Sequence, residues 1–132
     1  MTMEILEQKM QNGMYKEVYD ELERKHFHFT INNIASLFPQ IDSYDIYVFI
    51  MYAISRKETV DKHIAICDAL MFSDPCFSDS YNLIAWHLRR ALDVFPKNKE
   101  VLQWIIDSFY STNHPDSPFS EKELSEYNNL LT

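Results

Sequence analysis

Glycine is nearly missing from this 132-residue chain, with Gly13 the one example. Hairpin turns and phosphate-cradling loops both need backbone at positive φ, which glycine reaches without steric cost. A single glycine argues against an all-β fold and removes the nucleotide-binding loops that need several. Basic residues are also scarce. Twelve Lys and Arg stand against 20 Asp and Glu, a net charge of −8. Phosphate neutralisation needs clustered cations, so nucleic acid and anionic membrane surfaces are disfavoured as ligands. A basic protein partner, or plain solubility, fits the sign. Cysteine is limited to Cys67 and Cys76. They form neither a CxxC pair nor a disulfide framework, and two free thiols suit a reducing compartment. The opening Met1-Thr2-Met3-Glu4 has no basic segment leading into an apolar one, as a signal peptide would. No apolar run nears the ~20 residues that span a bilayer. These absences together predict a cytoplasmic protein.

What is present reads as helix. The hydrophobic share is 46% and the aromatic share 14%, enough for one domain over 1–132 with a proper core and against disorder. Residues 3–12 predict a short helix closed by Gly13 at the C′ position. A second, over 14–26, spaces Met14, Tyr15, Val18, Tyr19 and Leu22 at the helical period. Thr30 is a predicted N-cap for 31–38, which Pro39 stops. Asp42 or Ser43 caps 43–57, apolar nearly all round and so placed centrally, with Tyr44 and Tyr47 expected in the core. Helix 58–72 carries the stripe Val60, Ile64, Cys67 and Met71, and Ser73-Asp74-Pro75 breaks it. Helix 78–95, capped by Ser78 or Asp79, buries Tyr81, Ile84, Ala85, Leu88, Leu92 and Phe95. After Pro96, helix 98–111 turns Val101, Leu102, Ile105, Ile106 and Phe109 inward. Ser120 with Glu123 three residues on is a capping-box signature for 120–131. The expectation is all-α: seven to eight short antiparallel helices, in a compact bundle or a short TPR/HEAT-like hairpin array.

Two junctions resemble tetratricopeptide repeats. Gly13-Met14-Tyr15-Lys16-Glu17-Val18 is similar to the Gly-x-Tyr-x-Glu-Ala turn inside such a repeat. Ala91-Leu92, Pro96 and Asn98 resemble the junction between repeats, echoed by Ala69-Leu70 and Asp74-Pro75. The two Ala-Leu pairs stand 22 residues apart, where the repeat has about 34. The resemblance implies helical hairpins without a regular solenoid. The whole profile, acidic, aromatic-rich and helical, also resembles the small immunity proteins encoded beside bacterial toxins. That resemblance implies stoichiometric binding to one toxin domain.

Candidate chemistry is sparse. His63 and Cys67 share a helix face at i, i+4, but zinc needs three or four ligands and no second pair is spaced to match. Cys67 lies in the apolar stripe and reads as a core thiol. His26 and His28 flank aromatic residues at a helix end, where positive charge is favoured. Cys76 sits just before a helix N-terminus, a place that lowers a thiol pKa, yet nothing in the sequence puts a base beside it. No catalytic residue, metal ligand or cofactor is predicted, and the chain is not read as an enzyme.

The stronger signal is an interface. Trp86, Arg89, Arg90 and Asp93 lie off the buried stripe of their helix, and Trp104 and Asp107 off that of the next. Trp and Arg are the types most enriched at binding hot spots. Acid concentrates beyond residue 100, where Glu100, Asp107, Asp116, Glu121, Glu123 and Glu126 face only Lys122. Asp79 adds to the acid upstream. The set Asp79, Trp86, Arg89, Arg90, Asp93, Trp104, Asp107, Asp116, Glu121 and Glu123 is therefore the predicted partner-binding face. The expected function is an interaction module, in particular an immunity-type inhibitor occluding a basic toxin domain. The alternative is a helical-repeat adaptor that binds peptides in a groove.

Overall fold

Polar side chains set most of the helix starts, and left-handed residues close three of the ends. In the computed structural model, which describes residues 1–72 and 79–132, the chain forms eight helices. They are α1 Met3–Gln11, α2 Tyr15–Arg24, α3 Ile31–Leu37, α4 Ser43–Arg56, α5 Val60–Phe72, α6 Ser80–Val94, α7 Lys99–Ile105 and α8 Glu121–Leu131. No strand occurs among the described residues. The side chains of Thr2, Thr30, Asp42 and Asn98 each accept from a backbone N–H in the first turn of α1, α3, α4 and α7. Thr59 does the same for α5, accepting from Lys62 N at 3.3 Å. Ser120 and Glu123 complete the reciprocal capping box of α8. Asp79 holds the N-cap position of α6 without a side-chain capping bond. The alternative cap Ser78, the Ser73-Asp74-Pro75 break and Cys76 lie outside the described residues.

One glycine suffices because other residues take the left-handed positions. Gly13 (φ 71°), His26 (φ 55°) and Asn113 (φ 49°) each follow a helix end. In all three the next N–H reaches back five residues: Met14 to Lys9 O, Phe27 to Leu22 O, His114 to Phe109 O. That closure satisfies carbonyls that a helix end would leave unpaired.

The predicted helix 98–111 differs in one respect. After Ile105 the backbone widens into a π-helical turn, Ile106–Tyr110, with Ser111 N bonded to Ile106 O at 2.8 Å. The apolar periodicity reads through it because Ile106 and Phe109 stay buried. Single π turns of this kind are rare and invisible to a 3.6-residue pattern.

A continuous apolar cluster runs from Leu6 and Met10 on α1 to Leu124 on α8, with Phe38, Phe49, Ile50, Ile66, Ile84, Leu88 and Ile105 fully buried inside it. The closest helix pair is α5 with α6. Their cross-contacts Glu58–Arg90, His63–His87 and Cys67–Ile84 run in opposite directions, so the two helices are antiparallel. The central placement expected for α4 needs a correction. Ile46, Phe49, Ile50 and Ala53 are buried, but Tyr44 is 56% exposed and Tyr47 is only partly covered. The helix enclosed on more sides is α5. It buries Lys62, His63, Ala65, Ile66, Cys67, Ala69 and Leu70, and its last residue Phe72 is exposed.

Among the described residues no helix is long and apolar enough to cross a membrane.

Candidate functional site

The seam between α5 and α6 holds a chain of polar groups that the sequence left scattered. His63 on α5 and His87 on α6 are both buried, and their Nδ1 atoms lie 3.1 Å apart. His63 Nε2 is 2.6 Å from Glu58 Oε2, and Tyr47 Oη is 3.5 Å from His87 Nε2. Arg90 closes the far end as a fork, Nε to Oε2 at 3.0 Å and a terminal nitrogen to Oε1 at 2.9 Å. The guanidinium of Arg90, with His63 beside it, holds the Glu58 carboxyl down to about 2.

These contacts fix the proton positions for a neutral pair. An ionised Glu58 only accepts, so His63 carries its proton on Nε2. Its Nδ1 then accepts from His87 Nδ1–H, and the bare His87 Nε2 accepts from the Tyr47 hydroxyl. With both imidazoles neutral, every donor points the same way, from Tyr47 through His87 and His63 to Glu58. Burial, and after it the neighbouring His63, push His87 down to about 4. Cys67, one turn along from His63, donates weakly to Ile84 O at 3.7 Å, and burial pushes its thiol well up. It is a core thiol, not an activated one. No group of three or more His, Cys, Asp or Glu among the described residues is placed to hold a metal.

A cleft of about 430 Å³ opens over this chain, between the C-terminal end of α4 and the side of α6. Met51, Ile54 and Trp86 give it apolar walls, and Arg56, Lys57 and Arg90 stand around it with Glu58. The end of α4 is finished from inside the protein by Lys62. Its ammonium donates to Lys57 O at 2.7 Å, Ala53 O at 3.4 Å and Tyr19 Oη at 3.2 Å. It also lies 5.0 Å from the Tyr19 ring centroid and 5.1 Å from that of Phe29, within cation–π range. Burial lowers the Lys62 pKa, and burial raises that of Tyr19 to about 12.

The outward side of α6 carries four of the predicted interface residues. Trp86, Arg89, Arg90 and Asp93 are all exposed, and their spacing puts them on one face. Trp86 is 56% exposed, with its ring edge-to-face against His87 at 5.0 Å. On one flank stands the Arg90–Glu58 pair. On the other, Arg89 binds Glu123 at 3.0 Å and Pro118 O at 3.3 Å, and packs over the Phe119 ring. That bridge ties Glu123, at the start of α8, to α6. Two predicted members behave differently. Trp104 is not a free surface ring: it packs on the core and donates its indole N–H to Asp68 at 2.8 Å. Glu123 is a structural carboxylate, shared by the α8 cap, Arg89 and Tyr127. Asp107 accepts from Gln103 at 2.7 Å, and Asp116 is exposed and bonds through its backbone N–H to His114. Asp79 is exposed at the start of α6.

Glu58 and Lys62 were not singled out from the sequence, and His87 was weighed only as a base for Cys76. Their partners lie on other helices, and no local spacing encodes such a meeting. His28 is paired as well, 3.1 Å from Asp61.

No family model matches the chain, and neither a curated protein nor a solved structure matches it.

Proposed function

We propose that this protein is a protein–protein interaction module, and that it acts as an immunity-type inhibitor occluding a basic toxin domain. The observation that carries the reading is Trp86, a large ring left 56% exposed on α6 between two arginine–carboxylate forks. Its neighbours are already fixed, so a partner would lose little side-chain freedom on docking there. Trp and Arg at the centre of a contact supply most of the affinity of a typical interface.

Charge indicates the kind of partner. The chain carries −8 overall, and the Arg89–Glu123 bridge joins the acidic start of α8 to the α6 face. A basic surface would be steered to this side and weakened by salt. Carboxylates presented there would compete for cations that otherwise contact phosphate.

The test is capture of partners from the native cell extract at low salt, with release by a salt step. One dominant basic protein in equimolar amount, lost on Trp86→Ala and on the triple change Asp107→Lys, Asp116→Lys, Glu121→Lys, is the expected result. Glu123 is left out because its loss would unmake the α8 cap. Trp86→Ala should cost under about 0.5 kcal/mol of stability, as a surface change does. Equal capture by the wild-type and both variant proteins would refute the assignment.

A further inference from the structure

The cleft beside α6 has the opposite sign from the molecule that holds it. In a chain of net charge −8, its lining sets Arg56, Lys57 and Arg90 against the single carboxylate Glu58. That carboxylate is already committed, to the Arg90 fork and to His63. Arg56 is held only loosely, by Asp20 at 3.8 Å, the Tyr52 hydroxyl at 3.5 Å and the Tyr19 ring at 5.9 Å, and Lys57 has no ion pair among the described residues. The carbonyls at the end of α4 would repel an anion. Lys62 covers two of them from inside, at Lys57 and Ala53. The positive side chains at the mouth are therefore left to set the local potential.

The other half of the cleft is apolar. Met51 and Ile54 form one wall, and Trp86 lies across from them with more than half its surface open. At about 430 Å³ the space falls within the roughly 300–1,000 Å³ of small-molecule sites. Apolar walls with a few convergent charges are the usual make-up of such sites.

We infer that this cleft binds a small aromatic carboxylate, its ring between Trp86 and the Met51–Ile54 wall and its charge toward Arg56 and Lys57. The cleft shares Trp86 and Arg90 with the proposed docking face, but Arg56 and Lys57 belong to the cleft alone.

The experiment titrates sodium naphthoate into isotope-labelled protein and follows the two indole N–H resonances. Naphthylmethanol serves as the neutral match. The expected result is a saturable shift of the Trp86 indole with Trp104 nearly still, and naphthoate about tenfold tighter than the alcohol. The double variant Arg56→Gln, Lys57→Gln should weaken naphthoate about tenfold and leave the alcohol unchanged. Both side chains are exposed, so the fold should survive, and helical circular dichroism checks that it does. No saturable shift, equal affinity for the neutral match, or full affinity in the double variant would each overturn the inference. The double variant keeps Trp86 and the α8 carboxylates, so failure here leaves the protein-binding reading standing.

Discussion

Lys62 and His63 are adjacent on α5 and both buried, yet they face different interiors and are satisfied by different means. One residue of helix turns the side chain by about 100°, so Lys62 looks toward α2 and α4 and His63 toward α6. Lys62 meets carbonyl oxygens, a phenol and two aromatic rings, and no carboxylate among the described residues bonds to it. His63 meets a second imidazole and a carboxylate that an arginine fixes from outside. The first interior tolerates a cation through dipoles and ring faces. The second passes a polarity along a line of shared protons and delivers it to an ion pair at the surface. The difference is one of sensitivity: the first depends on shape and packing, the second on pH.

The largest expected effect tests the first interior. Lys62→Ala should cost about 3 to 4 kcal/mol, since it empties the space under Tyr19 and Phe29 and removes the ammonium bonds to the Lys57 carbonyl and the Tyr19 hydroxyl. Lys62→Met restores the packing and should recover about half. Urea unfolding reads both as a lower midpoint at unchanged slope. Equal loss in the two variants would mean that the hydrogen bonds, not the packing, carry the site.

The second interior should respond to acid. His87 sits at about 4 in the folded chain against 6.5 when free. Between those values the unfolded chain binds the extra proton, so stability rises with pH. The contribution is complete above 6.5 and is lost as pH falls toward 4, by up to about 3 kcal/mol. Burial also holds Lys62 below its ordinary 10.5, so it too favours the fold as pH rises toward that value. Urea midpoints at pH 7 and 5 should fall for the parent and much less for His87→Asn, whose amide keeps a donor near His63. A parent curve flat over that interval would contradict the proposed proton arrangement.

A smaller effect is expected from Glu58→Gln, about 1 to 2 kcal/mol at neutral pH, because Arg90 and His63 lose their charged acceptor. Glu58 lies near 2 in the folded chain against 4.5 when free. Its contribution is present above 4.5 and is lost as pH falls through that window, and the variant should lack this limb. The smallest effect bears on the comparison itself. If the two interiors are independent despite their adjacent residues, Glu58→Gln and Lys62→Met combine additively to within about 0.5 kcal/mol. A larger coupling energy would show α5 transmitting strain between them.

Much of the helical framework was legible, because caps and apolar period are local. Thr30, Asp42 and Ser120 do what their positions predict, and Gly13 closes α1 as expected. The left-handed closures at His26 and Asn113 were not, since glycine is the usual signal there and those residues carry side chains. Trp86 and Trp104 looked equivalent in sequence. Only the position of Asp68 on the neighbouring α5 separates a docked indole from an open one. Lys62 falls where a charged residue is read as solvent-facing, and the burial of α5 on several sides overrides that reading. His63 was weighed with Cys67, its neighbour one turn on, whereas its partner His87 comes from another helix across the seam. Local pattern gives a helix its faces, but pairing across helices depends on how they pack.

The burial of Lys62 also gives the protein an internal clock. Among the described residues it is the one lysine shut away from solvent. An amine-reactive reagent should modify the others at once and reach residue 62 only when the corner of α4 and α5 opens. An acylated Lys62 has lost its charge and gained bulk, so that corner could not close again. Residue-resolved labelling at 62 would therefore count openings of this corner one molecule at a time, without a denaturant and without an engineered probe.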